Sequence, residues 1–175
     1  MSYRLPEQEA TDGTYMAIST IAWYIKNRLV PGRPEGETSR VWNTILNHLF
    51  KPEDGYTTGP EMSFGPGRAD LFTAHLVLDV RFTEKKFLIV ECKKPGDESQ
   101  DSTWSEAKGQ LQDYLGNITS KNRKFGAIAI GKVVRFFEMT GSGLVAFEGD
   151  DKYYYIDRQC QSVTRKLLYF RENHA

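Results

Sequence analysis

The chain is poor in cysteine: Cys92 and Cys160 are the only two among 175 residues. They form no C-x-x-C pattern and no disulfide framework, which excludes the small stapled folds of secreted proteins. No apolar run is long enough to span a bilayer, so no membrane partner is expected. The opening residues, Met1-Ser2-Tyr3-Arg4-Leu5-Pro6-Glu7, lack the apolar core of a signal peptide. These absences point to an intracellular home, cytoplasmic or nuclear. Net charge is missing too, since 23 Lys and Arg balance 23 Asp and Glu. No global positive field attracts nucleic acid, so a binder of this composition must gather its cations locally. The histidines His48, His75 and His174 show no metal-ligand spacing.

What is present is enough chain for one core. Residues 1–13 are polar and expected to be loosely ordered, leaving 14–175 as a single domain. Ile18, Ile21, Ala22, Ile25 and Leu29 recur at helical spacing over 14–29. Val41, Trp42, Ile45, Leu46 and Leu49 predict a second helix over 37–50. Residues 51–67, rich in Gly and Pro, read as a long loop. Residues 68–82 read as extended, 83–85 as a turn, and Phe87 to Cys92 as a strand. Thr103 and Glu106 fit a capping box that opens a helix running to Leu115. Strands follow over 125–130, 133–137, 144–147 and 153–156, then a last helix carrying Val163, Leu167 and Phe170. The expected class is α/β, with a central mixed sheet flanked by helices.

The chemistry concentrates in Gly67-Arg68-Ala69-Asp70-Leu71 and Leu88-Ile89-Val90-Glu91-Cys92-Lys93. Side chains alternate along a strand, so Glu91 and Lys93 share one face and Cys92 takes the other. Charges on a half-buried strand face are costly without partners. A divalent cation and a scissile phosphate would be such partners. Two carboxylates on neighbouring strands can hold Mg²⁺ or Mn²⁺, and the cation acidifies its water and polarises a phosphodiester. A lysine beside them can offset transition-state charge.

These residues resemble the PD-(D/E)xK nuclease superfamily, and most of all the N-terminal nuclease domain of type I restriction enzyme R subunits. The resemblance rests on Gly67-Arg68-Ala69-Asp70, on Glu91-Cys92-Lys93 closing an apolar strand, and on Gln110-Leu111-Gln112-Asp113-Tyr114 in the next helix. An upstream helical Glu is matched by Glu37. The likeness spans residues 37–138 by motif order. It implies a restriction-endonuclease-like core and a Mg²⁺- or Mn²⁺-dependent nuclease, with DNA favoured over RNA as substrate. Asp70, Glu91 and the Cys92 backbone carbonyl would hold the metal. Lys93 would be catalytic, with Glu37 and Gln110 in support. Ala69 stands where the family has proline. The long stretch between Asp70 and Glu91 makes Asp79 a rival for the first acid. Cutting both strands of a duplex would call for a homodimer.

Each of these residues also has a plainer reading. Asp70 suits a turn after Gly67, and Glu91 and Lys93 suit a solvated strand face. Glu37 suits the positive end of its helix dipole. Arg68, Lys94, Lys121, Arg123 and Lys124 are candidate phosphate contacts or ordinary solvated charges. Tyr114 is a candidate nucleic-acid contact or a core residue, and Cys92 reads as core. The alternative function is a catalytically inactive nucleic-acid-binding or protein-interaction module on the same fold.

Overall fold

Helical spacing buries Ile21, Ile25 and Leu29 along one stripe of α1 (Ser19–Arg28) and just beyond it. In α2 (Glu35–Leu49), Val41, Trp42, Ile45, Leu46 and Leu49 form the matching stripe. Both stripes join one core with a sheet of seven strands, α2 against the sheet and α1 against α2, as seen in a computed structural model that describes residues 4–60, 70–78, 80–149 and 151–175. The strands are β1 (Tyr56–Gly59), β2 (Leu71–Leu78), β3 (Phe82–Lys93), β4 (Lys124–Ile130), β5 (Val133–Thr140), β6 (Gly143–Ala146) and β7 (Tyr154–Tyr155). They are ordered β1-β2-β3-β4-β5-β6, with β7 paired to β5. Only β3 and β4 run parallel. A parallel pair needs a crossover, and α3 (Asp101–Gly116) supplies it. The expected α/β class with a mixed, helix-flanked sheet is observed.

Two apolar layers enclose β3, which explains its continuous apolar run. Leu88, Val90 and Cys92 pack with α1, α2 and α4 (Cys160–Asn173). Ile89 packs on the other side with Ala107, Leu111 and Leu115 of α3. The β2–β3 register slips beside Phe87, and this irregularity lets Phe87 join the α2 side together with its neighbour Leu88. Gly126 of β4 lies under α3. A Cβ there would come within 2.8 Å of Leu111, so a larger residue would hold the helix off the sheet.

Four local expectations are corrected. Residues 51–67 contain β1, whose Thr57 and Thr58 suit a strand although Gly and Pro surround them. The strand β3 begins at Phe82, so residues 83–85 belong to it and the hairpin turns earlier. The Thr103–Glu106 capping box does not form: the helix starts at Asp101, capped at Gln100 without a side-chain bond, and Asp101 itself supplies first-turn negative charge. Finally, residues 6–12 are not loose. Glu9 binds Arg158 O through its N–H and Ser162 through its carboxylate, and Gln161 donates to Ala10 O and Asp12 O, fastening this segment to the start of α4.

Candidate active site

Strand alternation turns Glu91 and Lys93 toward α3, as expected, while Cys92 is fully buried on the α2 side. Asp70 directly precedes β2, whose Leu71 is in register with Val90. That register brings the Asp70 carboxylate to the end of β3, where Oδ2 accepts the Cys92 N–H at 2.7 Å. Lys93 Nζ lies 3.3 Å from Glu91 Oε1 and donates to Gln110 Oε1 at 2.7 Å. Gln110 gets there because Ala107, Leu111 and Tyr114 seat its helix on the sheet. From the other side, buried Thr38 of α2 donates its hydroxyl to Lys93 O at 2.8 Å and anchors the strand end. Asp70, Glu91, Lys93, Gln110 and the Cys92 backbone therefore converge, and Cys92 meets Asp70 through its N–H.

Other candidates fall elsewhere. Glu37 Oε2 lies 3.8 Å from Arg40, one turn along its own helix, and is buried without a hydrogen bond; no ion pair or hydrogen bond among the described residues joins it to this cluster. The acid that α2 contributes is Glu35, whose charge acts on Glu91 and Lys93. Glu106 of α3, one turn before Gln110, acts on Lys93 as well. Sequence reasoning missed both. Glu106 sits four residues before Gln110, a helical spacing that could have revealed it.

Lys94 points away and lies 3.9 Å from Asp97. Tyr114 is a buried member of the α3 core. The basic loop is at the wrong end. In the parallel β3–β4 pair, Lys93 is opposite Ile130, so Lys124 and its neighbours lie roughly 20 Å down the strand. Their cations are also occupied. Arg123 binds both Glu138 oxygens, at 2.8 and 3.1 Å, and the Tyr169 hydroxyl; Lys124 binds the carbonyls of Ser120 and Asn122. Lys121 is exposed at that same distant end. Arg68 and Asp79 lie outside the described residues.

The site has more negative than positive charge. Burial first, and then Asp70 and Glu35, push the Glu91 carboxyl up to about 8, against a pull from Lys93. Asp70 is raised by burial, opposed by the Cys92 N–H and by Lys93. Glu35 is raised by burial and by Asp70. Burial alone would lower Lys93; the charge and hydrogen bond of Glu91, with Glu35 and Glu106 behind them, leave it raised. Glu91 Oε2 is buried with no hydrogen-bond partner, a costly state for a carboxylate oxygen.

Among the described residues, no three His, Cys, Asp or Glu side chains are arranged to hold a metal unaided. Two carboxylates are nevertheless a normal protein contribution for Mg²⁺, which keeps several waters. The unpartnered Glu91 oxygen beside a second acid fits such an ion. No family model, no curated protein and no solved structure matches this chain. None of the helices among the described residues is long and apolar enough to cross a membrane.

Proposed function

We propose that this chain is a divalent-metal-dependent nuclease of the PD-(D/E)xK type, hydrolysing phosphodiesters, with DNA favoured as substrate. One observation carries the reading: Asp70, just before β2, and Glu91 of the neighbouring β3 share one end of the sheet with Lys93, and acidic groups there outnumber cations. The arrangement is in keeping with the acid-then-Glu-x-Lys order of that superfamily and with its restriction-endonuclease-like core.

Asp70 and Glu91 would hold Mg²⁺ or Mn²⁺, with the Cys92 carbonyl a third oxygen within the same turn of chain. The ion would supply Lewis acidity toward the phosphate and the attacking water. Lys93 would neutralise charge developing on the phosphoryl oxygens. Gln110 positions Lys93 through its 2.7 Å bond, and Thr38 holds the strand beneath it. Burial works against the Lys93 charge, while Glu91 first and then Glu35 and Glu106 support it.

The test is metal-supplemented cleavage by Asp70→Ala and Glu91→Ala beside the wild type. Both variants should lose cleavage while keeping the wild-type circular dichroism spectrum. Full activity in either would overturn the reading. One observation favours the alternative of a catalytically silent binding module: Lys93 already has Glu91 and Gln110 as partners. That module would bind nucleic acid in a salt-sensitive way and cut nothing under any divalent metal.

A further inference from the structure

Tryptophan is highly buried on average, yet Trp23 of α1 is 49% exposed and borders a groove that also holds two lysines. Trp42 and Trp104 are buried, so Trp23 stands alone among the three tryptophans. Its ring is braced edge-on by Tyr24, with centroids 5.2 Å apart, and by the Arg28 guanidinium 5.4 Å from its centre. It lines an open groove of about 740 Å³ together with Met16, Ala22, Lys26, Lys132 and Asp157.

The groove opens at the catalytic end of the sheet but on its α1 face, so a strand bound there must pass round the sheet end to reach the α3-facing carboxylates. Lys132 follows Ile130 by two residues, and Ile130 is in register with Lys93. Two strand spacings, about 10 Å, separate the Lys93 and Lys132 chains. On the α1 side, Pro31 packs against Gly96, three residues beyond Lys93. Between the two places, the Glu98 carboxylate is engaged by the Gly96 N–H at 2.8 Å. The groove's cations are available. Lys26 is exposed and has no ion pair among the described residues. Lys132 has only a loose contact with Asp157, at 3.9 Å, which a phosphate can replace. At the far end of the sheet, Arg123 and Lys124 are occupied by internal bonds.

We propose that this groove binds a single-stranded stretch of the nucleic acid flanking the scissile phosphate, with a base stacked on Trp23 and phosphates on Lys26 and Lys132. The inference rests on the nuclease reading and names its substrate as unpaired. The exposed half of the Trp23 indole can stack on a base regardless of sequence, whereas duplex bases are already covered by their neighbours.

Trp23 is also the reporter. A 12-nucleotide oligothymidine added to the full chain in EDTA should saturably quench tryptophan emission, and a duplex of equal length should not. Trp23→Ala should weaken oligothymidine binding roughly tenfold or more, measured by anisotropy of a labelled strand. Lys26→Gln with Lys132→Gln should flatten the salt dependence by about 0.7 per cation removed. The three side chains leave the core untouched, so a melting temperature near wild type certifies the variants. Unchanged binding by Trp23→Ala, or equal quenching by duplex, overturns the groove. Cleavage by the wild type without quenching removes the groove and leaves the nuclease reading standing. Quenching without cleavage under any divalent metal does the reverse.

Discussion

Replacing Glu91 by Gln removes the one buried carboxyl at the end of β3 that is held protonated to about pH 8. The residue is 3% exposed, and its carboxyl is held up to about 8 from a usual value of 4.5. An unfolded chain gives up that proton near pH 4.5, whereas the folded protein keeps it until about pH 8. Between those values the folded state binds more protons. Its stability therefore falls as pH rises, by about 1.4 kcal/mol per pH unit from this group, and levels off above about pH 8. The whole effect is about 5 kcal/mol, or roughly 10–20 °C in melting temperature for a chain of this size. Gln cannot ionise. At pH 5 the variant should melt near the wild type, and at pH 9 it should melt well above it. Thermal melts at half-unit pH steps give the difference curve, which cancels contributions from other groups. Mn²⁺ should lift wild-type stability most at high pH, because the ion competes with the proton, and should leave the variant largely unmoved. A wild-type-to-variant offset that is the same at pH 5 and pH 9 would refute the reasoning.

Other parts of the structure respond in different ways. Thr38→Val keeps the shape but leaves Lys93 O without its hydroxyl donor, so stability should drop by about 1–3 kcal/mol in denaturant melts, and cleavage should weaken as the strand end loosens. Gly126→Ala places a methyl within 2.8 Å of Leu111; it should cost about 1–3 kcal/mol and disturb Gln110 through the displaced α3. Arg123→Ala breaks the Glu138 and Tyr169 contacts, losing no more than about 1 kcal/mol, yet nucleic-acid affinity and its salt dependence should stay at wild-type values.

The legible part of the site followed from the two-residue strand period. Glu91, Cys92 and Lys93 needed only a strand through them to divide correctly between the faces. Asp70 and Gln110 joined them because register and helix packing put both at that strand's end. What stayed hidden depended on long-range geometry. Glu35 and Glu37 are both first-turn acids, and only the seating of α2 on the sheet decides which one reaches Lys93. The loop Lys121-Asn122-Arg123-Lys124 looks like a phosphate grip in sequence. The parallel pairing of β3 with β4 sends it to the opposite end, and Glu138 claims Arg123 from a strand further on. Thr103 and Glu106 had the right spacing for a cap, but the helix began two residues earlier at Asp101. The charge of Glu106 adds instead to the field that raises Lys93.

The most direct measurement is cleavage of plasmid, single-stranded DNA and RNA with Mg²⁺, Mn²⁺ or EDTA, wild type against Lys93→Ala. Cutting should need the metal, prefer DNA, and be lost in the folded Lys93→Ala protein. Cutting that survives in Lys93→Ala or in EDTA would contradict the nuclease reading, and so would a folded wild type that cuts none of the three substrates.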